Sequence, residues 1–111
     1  MSRSPAERIT DILDAIDRCQ GYRTHLDDPD RGIAEMASDA ILRNVSIIGE
    51  AVNHLPAEVT QARPDIDWTA IVGMRHVLVH QYFGIDPSIV VDVVDADLIP
   101  LAQALRNMDT A

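Results

Sequence analysis

Lysine is absent from this 111-residue chain, and cysteine, tryptophan and phenylalanine occur once each. The single Cys19 excludes an internal disulfide and a cysteine-based zinc site, and it points to a reducing compartment rather than a secreted scaffold. No apolar run approaches the ~20 residues of a membrane span, and the opening Met1-Ser2-Arg3-Ser4-Pro5 lacks the apolar stretch of a signal peptide. The expectation is a soluble, cytoplasmic chain with no membrane contact. All nine basic residues are Arg, against eighteen Asp and Glu, for a net charge of −9. A general electrostatic hold on nucleic acid is therefore excluded, since it requires many cations over phosphates, and any phosphate site must be local.

With 47% hydrophobic and 24% charged residues, the chain has enough apolar surface to offset its conformational entropy. Its length predicts one domain over residues 1–111. Ser4-Pro5-Ala6-Glu7 is a helix start, with Ser4 as N-cap, Pro5 at the first helical position and Glu7 closing a capping box. Ile9, Ile12, Leu13 and Ile16 then recur at helical spacing, and Gly21 is the expected end. An acidic loop over Thr24 to Gly32 leads into a second, longer helix from about Ile33 to Asn53. Its apolar stripe includes Ile33, Met36, Ala37, Ile41, Val45, Ile48 and Val52. Gly49 inside it suggests a close approach by another backbone, because glycine there costs ~1 kcal/mol relative to alanine.

Pro56 opens a short helical segment that Pro64 stops, and Asp67 is the expected N-cap of a helix running from Trp68 toward Gly84. Asp86-Pro87 repeats the cap-then-proline signature ahead of Ile89, Val90, Val93 and Val94, where β-branching leaves a strand possible. Asp97 and Pro100 suggest a break or kink before a last helix through Leu101 and Leu105. The fold class is all-α, a bundle of four or five helices with short connections.

The informative stretch is Met74 to Asp86, which places Arg75, His76, His80 and Tyr82 within eight residues of an otherwise apolar helix. On an ideal helix Arg75 and Tyr82 lie ~20° apart and His76 and His80 ~40° apart, whereas Arg75 and His80 are separated by ~140°. Arg75 and His80 could then line the two sides of a groove whose second wall comes from a two-fold partner presenting the same helix. Three readings compete. His80 can act as general acid or base while Arg75 holds a phosphate, which suits RNA cleavage by the ribose 2′-hydroxyl without a metal. His76 and His80 at i and i+4 can chelate a metal, although Val77 stands where the helical zinc motif has Glu. Or Arg75 can salt-bridge an acidic neighbour such as Glu50, with the histidines and Tyr82 as hydrogen-bonded residues at the core edge.

Arg75-x4-His80-x-Tyr82 matches the signature of the HEPN superfamily, and its surroundings resemble the HepT-like toxin branch. The likeness includes Arg43-Asn44, Ile47-Ile48-Gly49-Glu50-Ala51, Leu55-Pro56, Trp68, Gly73-Met74-Arg75, Tyr82-Phe83-Gly84-Ile85-Asp86 and Asp97-Leu98, and it spans about residues 8 to 105. The resemblance implies a HEPN-like homodimer that cleaves RNA through Arg75 and His80, with no metal and no cofactor. It also implies a toxin of a type VII-like toxin–antitoxin pair, silenced by a minimal nucleotidyltransferase (MNT) antitoxin that transfers AMP to Tyr82. One departure is His76, where similar proteins more often have Asn or Asp. It adds a second candidate for acid–base work beside His80. Glu50 matches a recurrent acidic position and is an auxiliary candidate for orienting Arg75 or a histidine. The alternative function is a non-catalytic helical dimer that serves as the binding subunit of the nucleotidyltransferase.

Overall fold

The computed structural model describes residues 3–82 and 87–109, with side chains except at 77, 79–82, 87 and 109. Among the described residues all regular structure is helical: α1 (Pro5–Arg23), α2 (Arg31–Asn53), α3 (Ala57–Gln61), α4 (Trp68–Tyr82), α5 (Pro87–Asp92), a π-helical segment (Val93–Leu98) and α6 (Ile99–Asp109). The β-branched run at Ile89 to Val94 is helical, which settles the strand alternative.

The capping box forms as the sequence predicts. Ser4 Oγ accepts from the Glu7 backbone N–H at 3.1 Å, and a Glu7 carboxylate oxygen accepts from the Ser4 N–H at 3.0 Å. The end of α1 differs from expectation. Gly21 lies inside the helix, which runs two residues further, and the Thr24 hydroxyl donates back to the Gly21 carbonyl at 3.0 Å. A Cβ at this position would meet nothing within 4 Å, and the glycine has no left-handed backbone to force a stop. Asp30 caps α2 by accepting from the Gly32 N–H at 2.9 Å.

α1 packs on α2, α2 on α4, and α1 also on the π segment and α6. The buried cluster draws Ile12 and Ile16 from α1, Ile41, Val45 and Ile48 from α2, and Leu98 and Leu105 from the C-terminal helices, all fully buried. Each such side chain contributes ~1.5–3 kcal/mol on leaving water. Ile33 and Met36 do not join it. At 38% and 66% exposure they stand in solvent at the start of α2, although their spacing fits the apolar stripe. Cys19 is fully buried beside the Ile41 carbonyl, and burial pushes its thiol up to about 12, so it is an inert core residue.

The break or kink expected at Asp97 and Pro100 takes the form of a widened helix, Val93–Leu98, ahead of α6. Pro100 has no N–H to donate and its ring crowds the carbonyl four residues back, so a regular α-helix is disfavoured there. The preceding π turns accommodate it, and the Ile99 N–H reaches the Val94 carbonyl, five residues back. Helical direction is kept, and Val93, Val94 and Leu98 stay in the core. Gly84 and Asp86, the expected helix end and cap, lie outside the described residues.

Candidate active site

α4 begins as the sequence predicts. Asp67 Oδ1 accepts from the Ala70 N–H at 3.1 Å, and the Trp68 indole N–H is shared between the Thr60 and Arg63 carbonyls at 3.0 and 3.1 Å. Trp68 thereby fastens the start of α4 to the end of α3. Ile71, Met74 and Leu78 are buried at helical spacing and fix the rotation of α4 against the core. Gly49 supplies the close approach expected of it: a Cβ there would lie 3.5 Å from the Val72 carbonyl oxygen and 3.8 Å from its Cα.

That rotation decides which residues face water. Arg75 and His76 are exposed, and Val72, 37% exposed, lies between them around the helix. His80 and Tyr82 continue the same helix, His80 one turn beyond His76 and Tyr82 two turns beyond Arg75. The side chains of His80 and Tyr82 lie outside what the structure describes.

Glu50 is exposed on α2, and one of its carboxylate oxygens lies 3.6 Å from His54 Nδ1, one turn along its own helix. His54 Nδ1 also sits 2.8 Å from the Glu50 carbonyl. Glu50 therefore engages a histidine that sequence reasoning had not selected, and no salt bridge joins it to Arg75 among the described residues. Asn44, part of the string that resembles the HepT-like branch, has a structural role. It is buried, it accepts from the Arg18 Nε–H at 2.8 Å and it donates to the Ala40 carbonyl at 2.8 Å, cross-linking α1 and α2.

The arginines divide into two groups. Arg3, Arg23, Arg31, Arg63 and Arg106 are held in ion pairs, and Arg18 is held by Asn44. Among the described residues, no side-chain hydrogen bond or ion pair engages the guanidinium of Arg8, Arg43 or Arg75. In a chain with twice as many carboxylates as guanidiniums, this keeps the Arg75 fork available for an anion.

Beside the buried edge of α4, a cavity of about 330 Å³ is lined by Ile71, Met74, Asp97 and Leu101, among others. The Asp97 carboxyl is held above the ordinary carboxylate range, first by partial burial and then by nearby Asp92. Among the described residues, no three His, Cys, Asp or Glu side chains group to hold a metal ion, and no helix is long and apolar enough to cross a membrane.

These features describe a protein, all-helical among the described residues, whose fourth helix presents an uncommitted guanidinium at Arg75 and continues through positions 80 and 82. The chain belongs to the HepT-like family of ribonucleases: the family model described as "Ribonuclease HepT-like" matches residues 12–108. A protein of Thermococcus cleftensis named "Probable ribonuclease HepT" is 30% identical over 98 residues, covering 88% of this chain and 89% of that protein. A Methanocaldococcus jannaschii protein named as a gamma-glutamylcyclotransferase and putative RNase is 30% identical over 100 residues. That match covers 90% of this chain, which spans 45% of the relative's length. No solved structure gives a significant match.

Proposed function

We propose that this protein is a metal-independent endoribonuclease, the toxin of a toxin–antitoxin pair, working as a homodimer. The observation that carries the reading is Arg75, exposed and uncommitted on α4 of a HepT-like chain, seven residues before Tyr82 and five before His80. RNA carries its own nucleophile. His80 takes the proton from a ribose 2′-hydroxyl, the oxygen attacks the adjacent phosphorus, and the Arg75 guanidinium stabilises the extra negative charge on the five-coordinate phosphorus. The P–O5′ bond breaks, the leaving oxygen is protonated, and the products carry a 2′,3′-cyclic phosphate and a 5′-hydroxyl. His76 or the partner's copy of the motif can supply that last proton.

The motif itself calls for a dimer, since Arg75 and His80 lie ~140° apart around an ideal helix and share one groove only if a second wall faces α4. A second copy of α4 laid against it would cover Val72 and bring the two motifs into one groove. Regulation follows from the same groove. A minimal nucleotidyltransferase antitoxin transfers AMP from ATP to the Tyr82 hydroxyl, with pyrophosphate leaving, and the charged adenylyl group blocks the phosphate site.

Cleavage of RNA in EDTA tests the reading. Wild-type protein cuts, Arg75→Ala and His80→Ala each lose ~10²-fold or more, and His76→Ala loses less. Wild-type protein inert on every RNA offered would remove the catalytic assignment and leave the binding-subunit alternative.

A further inference from the structure

We propose a second anion site: Arg8 and Arg43 form a clamp for the phosphodiester backbone of single-stranded RNA, on the face shared by α1 and α2. It rests on the reading of RNA as substrate and extends it to the groove between α1 and α2, whose described lining comes from those two helices and Arg3. A groove of about 520 Å³ runs between the two helices, and its polar lining comes from Arg3, Arg8, Asp11, Arg43, Ser46 and Glu50. Three of the nine arginines of the chain meet there, which leaves six arginines against sixteen carboxylates everywhere else. The surface is strongly acidic overall and locally cationic at this groove.

The pairing inside the groove sharpens the case. Asp11 is taken by Arg3 through two hydrogen bonds of 2.6 and 2.8 Å. Glu50 lies against His54 at 3.6 Å. Asp11 is thus taken by Arg3, and Arg8 and Arg43 line the groove with no ion-pair partner among the described residues, two guanidiniums against the single remaining carboxylate of Glu50. Arg8 lies three residues before Asp11 on α1, an arrangement that ordinarily pairs them, yet Arg3 holds that carboxylate. Around α2, Arg43, Ser46 and Glu50 fall within ~60° of one another, so one stripe of the helix forms the floor. Two guanidiniums above a hydroxyl-bearing floor suit a polyanionic strand, because each fork can take two oxygens of one phosphate. The site reads backbone rather than sequence, and it holds the substrate strand away from the scissile bond.

The test is fluorescence anisotropy with a labelled 2′-O-methyl RNA, which lacks the internal nucleophile and cannot be cut, titrated over a range of salt. The Arg8→Gln/Arg43→Gln double variant should bind at least ~10-fold more weakly at low salt. Its slope of log K against log salt should fall by ~1.4, or ~0.7 for each phosphate no longer neutralised. Arg8→Lys/Arg43→Lys should recover most of the binding. Arg31→Gln, which removes one charge outside the groove, should change affinity less than ~2-fold. Unchanged affinity and slope in the double Gln variant would overturn the clamp, as would an equal loss in Arg31→Gln or no binding by wild type. Cleavage of unmodified RNA separates the two readings. A wild type that cuts while the double variant binds normally leaves the nuclease without the clamp. A wild type that does not cut while binding depends on Arg8 and Arg43 leaves the clamp without the nuclease.

Discussion

α1 and α4 are similar in length and both pack on α2, yet they use their polar residues in different ways. On the second half of α1 the polar residues serve the fold. Arg18 reaches Asn44 on α2, Arg23 forms two 2.6 Å hydrogen bonds to Asp95 in the π segment, and Asp17 meets Arg106 of α6 at 3.4 Å. On α4 the apolar residues do the holding, and Arg75 is left without such a tie among the described residues. A helix that orders itself through Ile71, Met74 and Leu78 can leave its guanidinium uncommitted for an anion.

The comparison can be broken first in the core, where the largest effect is expected. Ile16→Ala empties a fully buried position on α1 and should cost ~2–5 kcal/mol of unfolding free energy in denaturant titrations. A loss below ~1 kcal/mol would show that α1 is not held by its apolar stripe. The α2–α4 contact is the next lever. Gly49→Leu should cost ~1–3 kcal/mol by overpacking against the Val72 backbone. Gly49→Ala puts its Cβ at an ordinary 3.5 Å contact and should be neutral or gain up to ~1 kcal/mol of helix propensity. Equal behaviour of the two variants would contradict the close approach.

The smallest effect belongs to Asp97. Its carboxyl is held above the ordinary carboxylate value by partial burial and by Asp92. A group raised in this way favours the fold only while protonated; that contribution is present below the unfolded value and is lost as pH rises through the folded one. Asp97→Asn should therefore stabilise the protein at pH 7 by a few tenths of a kcal/mol after solvent screening, and by nothing near pH 3. Thermal unfolding at the two pH values reads the difference, and a gain of equal size at both would remove the electrostatic cause. Asp95 provides the opposite sign. Its hydrogen bonds from Arg23 hold the carboxyl low, so that pair supports the fold above the ordinary carboxylate value and loses its hold as pH falls through the depressed one.

Much of the fold was legible because its signals are local. Ser4-Pro5-Glu7 and Asp67-Trp68 carry their capping geometry within a few residues, and Gly49 announced a close approach that α4 makes. What escaped depends on tertiary competition. Met36 fits the stripe of α2 by spacing, yet it stands exposed while the adjacent Ala37 is buried, so spacing alone did not fix which residues the fold covers. Pro100 suggested a break or kink because widened turns leave no sequence mark that separates them from an interruption. At the site, Arg75-x4-His80-x-Tyr82 is a weak signal by itself and takes its meaning from the longer string around it, Gly49-Glu50 and Trp68 included. Arg8 was not legible, since sequence spacing offers it Asp11 and only the folded chain shows Arg3 taking that carboxylate.

The most direct test of the account compares folding and cleavage in one variant, Arg75→Gln, by measuring its unfolding free energy and its rate on RNA side by side. The account predicts stability within ~0.5 kcal/mol of wild type and a cleavage rate lower by ~10²-fold or more. A folded variant that cuts RNA at the wild-type rate, or a rate that falls only in step with reduced stability, would contradict it.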